Sequence, residues 1–231
     1  MGLFITFEGP EGSGKSTQAR LLYERLQRLG YPVILTREPG GTRIGELIRR
    51  ILVDLRHTEM APTTETLLFS AARAQLVSEL VRPYLKTGGI VLCDRYADST
   101  FAYQGYGLGR DLEELQSITT VATGGLMPDL TFYLDLDVEM GLQRKRSARD
   151  RLPEPASAAA AFTPHPEWNR LDARDLAYHQ RVATGFAELM RRDPDRWRCF
   201  VANQPVDLLA EQIFTQVEPM LARIVRLENP R

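Results

Sequence analysis

The sequence predicts an α/β protein in three layers, a five-stranded parallel sheet flanked by helices. Short apolar runs alternate with longer segments of helical period, which is the pattern of βαβ units. A glycine-rich loop of phosphate-binding type follows the first apolar run and opens the first helical segment. The 231 residues, 43% of them hydrophobic and 26% charged, suit a single domain with a sizeable core, so we expect residues 1–231 to form one domain.

The elements follow in order. Strands are expected at Leu3–Phe7, Val33–Thr36, Ile90–Cys93, Leu130–Leu136 and Cys199–Ala202, each a short run of large apolar residues. Between the first two, Ala19, Leu22, Leu26 and Leu29 recur at helical spacing until Gly30 and Pro32 end the pattern. Helical period also marks Thr63 to Leu85, with Pro83 near its end, then Leu171 to Met190 and Leu208 to Leu227. The stretch Leu152 to Trp168, with four prolines around an alanine run, reads as a surface loop.

Composition excludes several functions. With 29 basic against 30 acidic side chains, the chain lacks the excess charge of a protein that holds nucleic acid by bulk electrostatics, so an anionic ligand must be met by gathered cations. No apolar run reaches the ~20 residues of a membrane span, and the N-terminal match to a myristoylation pattern is better explained by the first buried strand. Cys93 and Cys199 lie in apolar runs without metal-site spacing and are expected to be core thiols of a cytoplasmic protein. His57, His165 and His179 show no metal or catalytic spacing.

The strongest signal is Gly9-Pro10-Glu11-Gly12-Ser13-Gly14-Lys15-Ser16, a full G-x-x-x-x-G-K-[ST] match between a strand and a helix, which assigns the P-loop NTPase fold. The glycines let backbone N–H groups converge on phosphate oxygens at a helix N-terminus. Lys15 is placed to bridge the β- and γ-phosphates of ATP, and the Ser16 hydroxyl to reach Mg²⁺. Thr17 either touches the α-phosphate or sits in the first helical turn. A guanine-reading Asn-Lys-x-Asp is missing, the nearest candidate being Asn203-Gln204-Pro205, so a small phosphotransferase is favoured over a GTPase switch. After the third strand, Asp94 lies where open parallel sheets hold ligands and is a second candidate for Mg²⁺. Arg95 beside it offers a fork of donors to phosphate.

Taken together, EGPEGSGKST (Glu8 to Thr17), TREPGGT (Thr36 to Thr42), Phe69 and Arg73 in FSAARAQ, DRYADSTFAYQGYG from Asp94 and ATGGLMPDLTFYLDLD from Ala122 resemble the bacterial thymidylate kinases. The resemblance runs from Leu3 to about Met190. It implies transfer of the ATP γ-phosphoryl to dTMP, with Mg²⁺ as cofactor, in a homodimer. It also implies that Phe69 stacks on thymine, Arg73 donates to its O4, and Gln104 with Thr100 or Ser99 fixes the ring. Tyr103 would lie against the deoxyribose, Arg49 and Arg95 would hold the 5′-phosphate, and Glu11, Glu38 and Pro39 would lie near sugar and phosphate. A phosphate with a second pKa of about 6 is already a nucleophilic dianion near neutrality, so no general base is required.

Gly141 to Arg151 carries five basic residues and one acid, and by resemblance begins a mobile lid spanning about 141–172, with Arg144 beside adenine and Gln204 a weaker neighbour. A chain with Glu11-Gly12-Ser13 in its P-loop resembles the family members whose lid supplies the transition-state arginine. Arg149 and Arg170 are the candidates. The family's Asp-Arg-Ile-Glu corresponds to Asp150-Arg151-Leu152-Pro153 or, preferably, to Asn169-Arg170-Leu171-Asp172, which makes about 151–168 an insertion. Two other readings stay open: a kinase for another nucleoside monophosphate such as dUMP, since one methyl group is worth only about 1–3 kcal/mol, and a nucleotide-binding regulatory module.

Overall fold

The computed structural model describes residues 2–150 and 168–226, apart from the side chains of Arg149 and Asp150. Five strands, β1 (Leu3–Glu8), β2 (Val33–Arg37), β3 (Ile90–Asp94), β4 (Leu130–Asp135) and β5 (Trp197–Val201), form one sheet in the order β2-β3-β1-β4-β5. Every pairing is parallel. All six residues of the central β1 are buried, as a strand covered on both faces requires. Their side chains alternate: Leu3, Ile5 and Phe7 enter the core under α1 (Lys15–Arg28) and α9 (Val206–Val217), while Phe4 packs edge-on to Tyr96 at 4.9 Å on the other face.

The opposite layer is built by α3 (Pro62–Leu76), which continues through a π-helical turn (Val77–Val81) into α4 (Arg82–Lys86), and by α8 (Leu176–Arg192). The helical expectation for Thr63 to Leu85 matches that composite element. Three helical segments were not foreseen from the sequence: α2 (Arg43–Val53), α5 (Ala97–Thr100) with its π-helical continuation Phe101–Gly107, and α6 (Leu112–Thr123). The N-cap of α6 was nevertheless written in the chain, since the Asp111 side chain accepts from Glu114 N at 2.8 Å. The basic run is helical, as α7 (Val138–Asp150).

Three expectations need correction. β5 begins at Trp197, two residues before Cys199, because Thr131 to Asp135 of β4 pair with Trp197 to Val201. α8 begins at Leu176 rather than Leu171, because Asp175 caps it by accepting from Tyr178 N at 2.6 Å. Cys93 is buried, but Cys199 is exposed: β5 pairs on one side only, so an apolar run there is incompletely covered. The loop expected at Leu152 to Trp168 lies outside the described residues up to residue 167. Among the described residues no helix is long and apolar enough to cross a membrane.

Candidate active site

β1 lies between β3 and β4, so the chain leaves the sheet in opposite directions on its two sides and a crevice opens at the strands' C-terminal ends. A cavity of about 550 Å³ occupies it. Its floor is the loop joining β1 to α1, where Gly9, Gly12 and Gly14 have φ of 143°, 69° and 90°. Two of these glycines also permit close packing. A Cβ on Gly9 would lie 2.6 Å from the Leu134 carbonyl, and one on Gly12 would overlap the carbonyl of Gly141 in α7. Lys15 opens α1 and is buried, with Nζ donating to the carbonyls of Pro10 at 2.7 Å and Gly9 at 3.1 Å, and 3.4 Å from Ser13 Oγ. Burial, with Arg95 close by, pulls Lys15 down to about 8 against the attraction of Glu11, Asp94 and Glu8. The Ser16 hydroxyl donates to Asp94 Oδ2 at the end of β3. These two hard oxygen groups, of the type that can hold Mg²⁺, face the cavity, and Thr17 joins them on its wall.

Arg95 is the one non-glycine described residue with positive φ, at 70°. That left-handed backbone is held on both sides: Arg95 N donates to Phe7 O at 3.0 Å, and Tyr96 N to Glu8 Oε1 at 2.8 Å. The conformation aims the guanidinium back over the P-loop, where it reaches Glu11 Oε1 at 2.6 Å and Gly9 O at 3.3 Å and lies 4.9 Å over the Tyr103 ring. Burial alone would raise the Glu11 carboxyl, but Arg95, Lys145 and Lys15 hold it well below the usual range. Glu8 is different. Ser99 Oγ donates to its second oxygen at 2.6 Å, yet complete burial and the neighbouring Asp98 push it up to about 7.

The far end of the cavity is one face of α3. Glu65, Phe69 and Arg73 follow each other at i, i+4 and i+8, and the latter two line the cavity. Arg73 is buried. Its Nε and Nη2 reach Glu38 Oε2 at 2.8 and 2.6 Å, Nη1 reaches Thr100 Oγ1 at 2.9 Å, and Nη2 also donates to Tyr96 O at 3.2 Å. Burial raises the Glu38 carboxyl despite that partner, and its Oε1 accepts no hydrogen bond among the described residues. The peptide bond from Glu38 to Pro39 is cis. Arg49 of α2 reaches Pro39 O at 3.1 Å, and Tyr103 donates to Glu11 Oε1 at 2.9 Å. Gln104 is 2% exposed and donates from Nε2 to Glu65 Oε1 at 2.9 Å.

The residues expected at the site therefore converge, with differences at the lid. Arg144 of α7 lines the cavity and donates to Asn203 Oδ1 at 2.6 Å beyond β5, whereas Gln204 turns to Val201 O and Gln212. Arg170, expected at the phosphates, is held elsewhere: it donates to Glu65 Oε2 at 2.6 Å and to Leu52 O at 3.2 Å. The Arg149 side chain lies outside the described residues. The lid cation that does reach the P-loop is Lys145, with Nζ 3.1 Å from Glu11 Oε2 and 2.6 Å from the buried Asp172. Sequence reasoning gave Lys145, Glu65 and Glu8 no role. Only Glu65 had a usable signal, its helical register with Phe69 and Arg73.

The thymidylate kinase family model matches residues 7–213 of the chain. The chain belongs to the thymidylate kinase family. It is 68% identical over 228 residues to the thymidylate kinase of Roseiflexus castenholzii, covering 99% of this chain and 98% of that one. It is 60% identical over 235 residues to the thymidylate kinase of Herpetosiphon aurantiacus, covering 98% and 100%. Among solved structures it resembles thymidylate kinase from Ehrlichia chaffeensis, with a TM-score of 0.72 and 29% identity over 94% of this chain and 100% of that one. The glycine-rich loop, one face of α3 and the Asp94-Arg95 segment all line one cavity.

Proposed function

We propose that this chain phosphorylates dTMP to dTDP with ATP as donor, by in-line transfer across the cavity and without a general base. The observation that carries the reading is the cavity itself. It places the phosphate-binding loop with Lys15 and Ser16 at one end, the α3 face with Phe69 and Arg73 at the other, and Arg95 between them. The acceptor phosphate, with a second pKa of about 6, is its own nucleophile near neutrality. The barrier is the approach of two polyanions, so rate comes from alignment and charge neutralisation.

In this reading Gly9 to Thr17 cradle the donor phosphates, Lys15 neutralises the transferred group and Arg144 lies by the adenine. Arg95 and Arg49 hold the acceptor phosphate, and Phe69 stacks on thymine. Arg73 spends four of its five N–H donors on Glu38, Thr100 and Tyr96, which leaves one for O4 of the base. The unpartnered Glu38 Oε1 fits a sugar hydroxyl, and Tyr103 crowds the 2′ side. Mg²⁺ would be held by Ser16 and Asp94 and would neutralise donor phosphate charge when bound; few protein ligands suit an ion that keeps waters and phosphate oxygens. Glu11, between Arg95 and Lys145, keeps the two cations apart and in place. We assign the whole chain to one kinase domain, with 141–172 as its lid and Arg149 as the lid's candidate transition-state arginine.

Ile44, Leu47 and Ile51 form an exposed apolar stripe on α2, Leu47 and Ile51 being 46% and 44% exposed, beside Leu67 of α3. That face supports a homodimer. Both cysteines are free thiols, in keeping with a reducing cytoplasm. The test is ADP release with MgATP and a panel of dTMP, dUMP, UMP, dCMP, AMP and GMP. Turnover confined to dTMP, with weak dUMP, is expected; broad use would overturn the roles of Phe69, Arg73 and Gln104, and none at all would make the chain a binding module.

A further inference from the structure

We infer that Glu65, gripped by Arg170 and Arg174, is a specificity-determining positioning residue that fixes which end of the Gln104 carboxamide faces the base. The inference rests on the reading of Gln104 as a base contact and deepens it. A carboxamide is nearly symmetric in shape, so packing alone does not decide whether its oxygen or its nitrogen points at a ligand. Here a carboxylate decides. Glu65 is completely buried, and its Oε2 accepts from Arg170 Nη2 and Arg174 Nη2, each at 2.6 Å. With that oxygen held by two guanidinium groups, the other, Oε1, is an acceptor directed at Gln104, and Gln104 Nε2 donates to it at 2.9 Å. The reversed amide would set two acceptor oxygens against each other in a buried site.

The consequence falls on the base. Gln104 Oε1 accepts no hydrogen bond among the described residues, and Gln104 lines the cavity beside Arg73 and Phe69. An outward oxygen here accepts from the N3–H of a thymine or uracil ring, while the remaining Arg73 donor meets O4. Cytosine presents an acceptor at N3 and a donor amine at C4, so it opposes both groups. The arginines that fix the carboxylate follow the 151–167 segment directly, and Arg170 is stapled to the end of α2 through Leu52 O and Val53 O. Arg170 therefore serves acceptor recognition from the end of the lid region instead of the transferred phosphate.

The experiment compares the KM for dTMP with the inhibition constant of dCMP against dTMP, in the wild-type chain, Glu65→Gln, Arg170→Gln/Arg174→Gln and Gln104→Leu. Glutamine at 65 offers either an oxygen or an amine to Gln104, and the double variant removes the two guanidinium groups that hold Glu65 Oε2, so that the carboxyl is no longer fixed toward Gln104. Both release the amide. The dTMP preference over dCMP is expected to fall about tenfold or more in each, the size of one buried hydrogen bond mispaired. A merely structural role would weaken both nucleotides together and leave their ratio unchanged. If Gln104→Leu lowers the ratio while the other two variants keep it within about twofold, the orienting role is overturned and the base contact stands. If Gln104→Leu also leaves the ratio unchanged, the base contact itself is wrong and the inference falls with it. The double variant keeps Glu65 in place, so the question is answered even if Glu65→Gln does not fold.

Discussion

Glu8→Gln isolates the electrostatic burden that the site carries under Arg95. Glu8 is fully buried at the end of β1, where it accepts from Tyr96 N and Ser99 Oγ and faces Asp98 and Arg95. Its carboxyl rises from 4.5 to about 7, chiefly through burial. A carboxyl raised by folding binds its proton more tightly in the native state, so stability falls as pH climbs from the unfolded value to the folded one. Between about pH 5 and pH 8 these two values give a loss of about 2–3 kcal/mol in the wild-type chain. Glutamine does not titrate, so Glu8→Gln lacks that loss. Whatever the exchange costs in hydrogen bonding is the same at both pH values and cancels in the comparison. Urea unfolding followed by tryptophan fluorescence at both pH values measures it: the variant should gain about 2–3 kcal/mol on the wild type as pH rises. Parallel pH dependences, within about 0.5 kcal/mol, would show that Glu8 is not a neutral acid near pH 6.

Lys145→Met removes the cation shared by Glu11 and the fully buried Asp172. An uncompensated buried carboxylate costs about 3–5 kcal/mol. The thermal midpoint at neutral pH should drop accordingly and recover in part on acidification, as Asp172 takes up a proton; an unchanged midpoint would mean that the pair contributes nothing. Leu47→Glu with Ile51→Glu places two carboxylates on the apolar stripe of α2. If the proposed homodimer forms on that stripe, sedimentation moves from dimer to monomer; an identical mass for wild type and variant would overturn that role of the stripe.

Much of this molecule was legible in the chain because its signals are local. The inner strands β1, β3 and β4 are largely apolar runs buried on both faces, and the P-loop writes strand, turn and helix start within a dozen residues. What was hidden depends on partners far apart in sequence. The period of α2, Ile44, Leu47, Ile48, Ile51 and Leu52, is local; what the chain does not show is that Ile44, Leu47 and Ile51 face solvent. Cys199 reads as core from its neighbours, but edge position, a property of strand order, exposes it. Arg170 is a catalytic candidate by resemblance to the family's Asp-Arg-Ile-Glu motif; only the fold shows that Glu65, 105 positions earlier, holds it. The contacts of Lys145 with Glu11 and Asp172 likewise cross 134 and 27 positions, beyond the reach of any spacing rule.

Two carboxylates, the partly buried Glu11 and the buried Glu65, link the flanks of the 151–167 segment to the proposed acceptor site. On the N-terminal flank, Lys145 of α7 grips Glu11, whose other oxygen takes Arg95 and the Tyr103 hydroxyl. On the C-terminal flank, Arg170 and Arg174 grip Glu65, whose other oxygen takes Gln104. Each carboxylate has one oxygen for the flank and one for a group that the proposed function sets against the acceptor nucleotide: Arg95 at its phosphate, Tyr103 at its sugar, Gln104 at its base. A carboxylate that loses its cations in a buried site becomes costly, so moving either flank away changes the charge balance directly behind an acceptor contact.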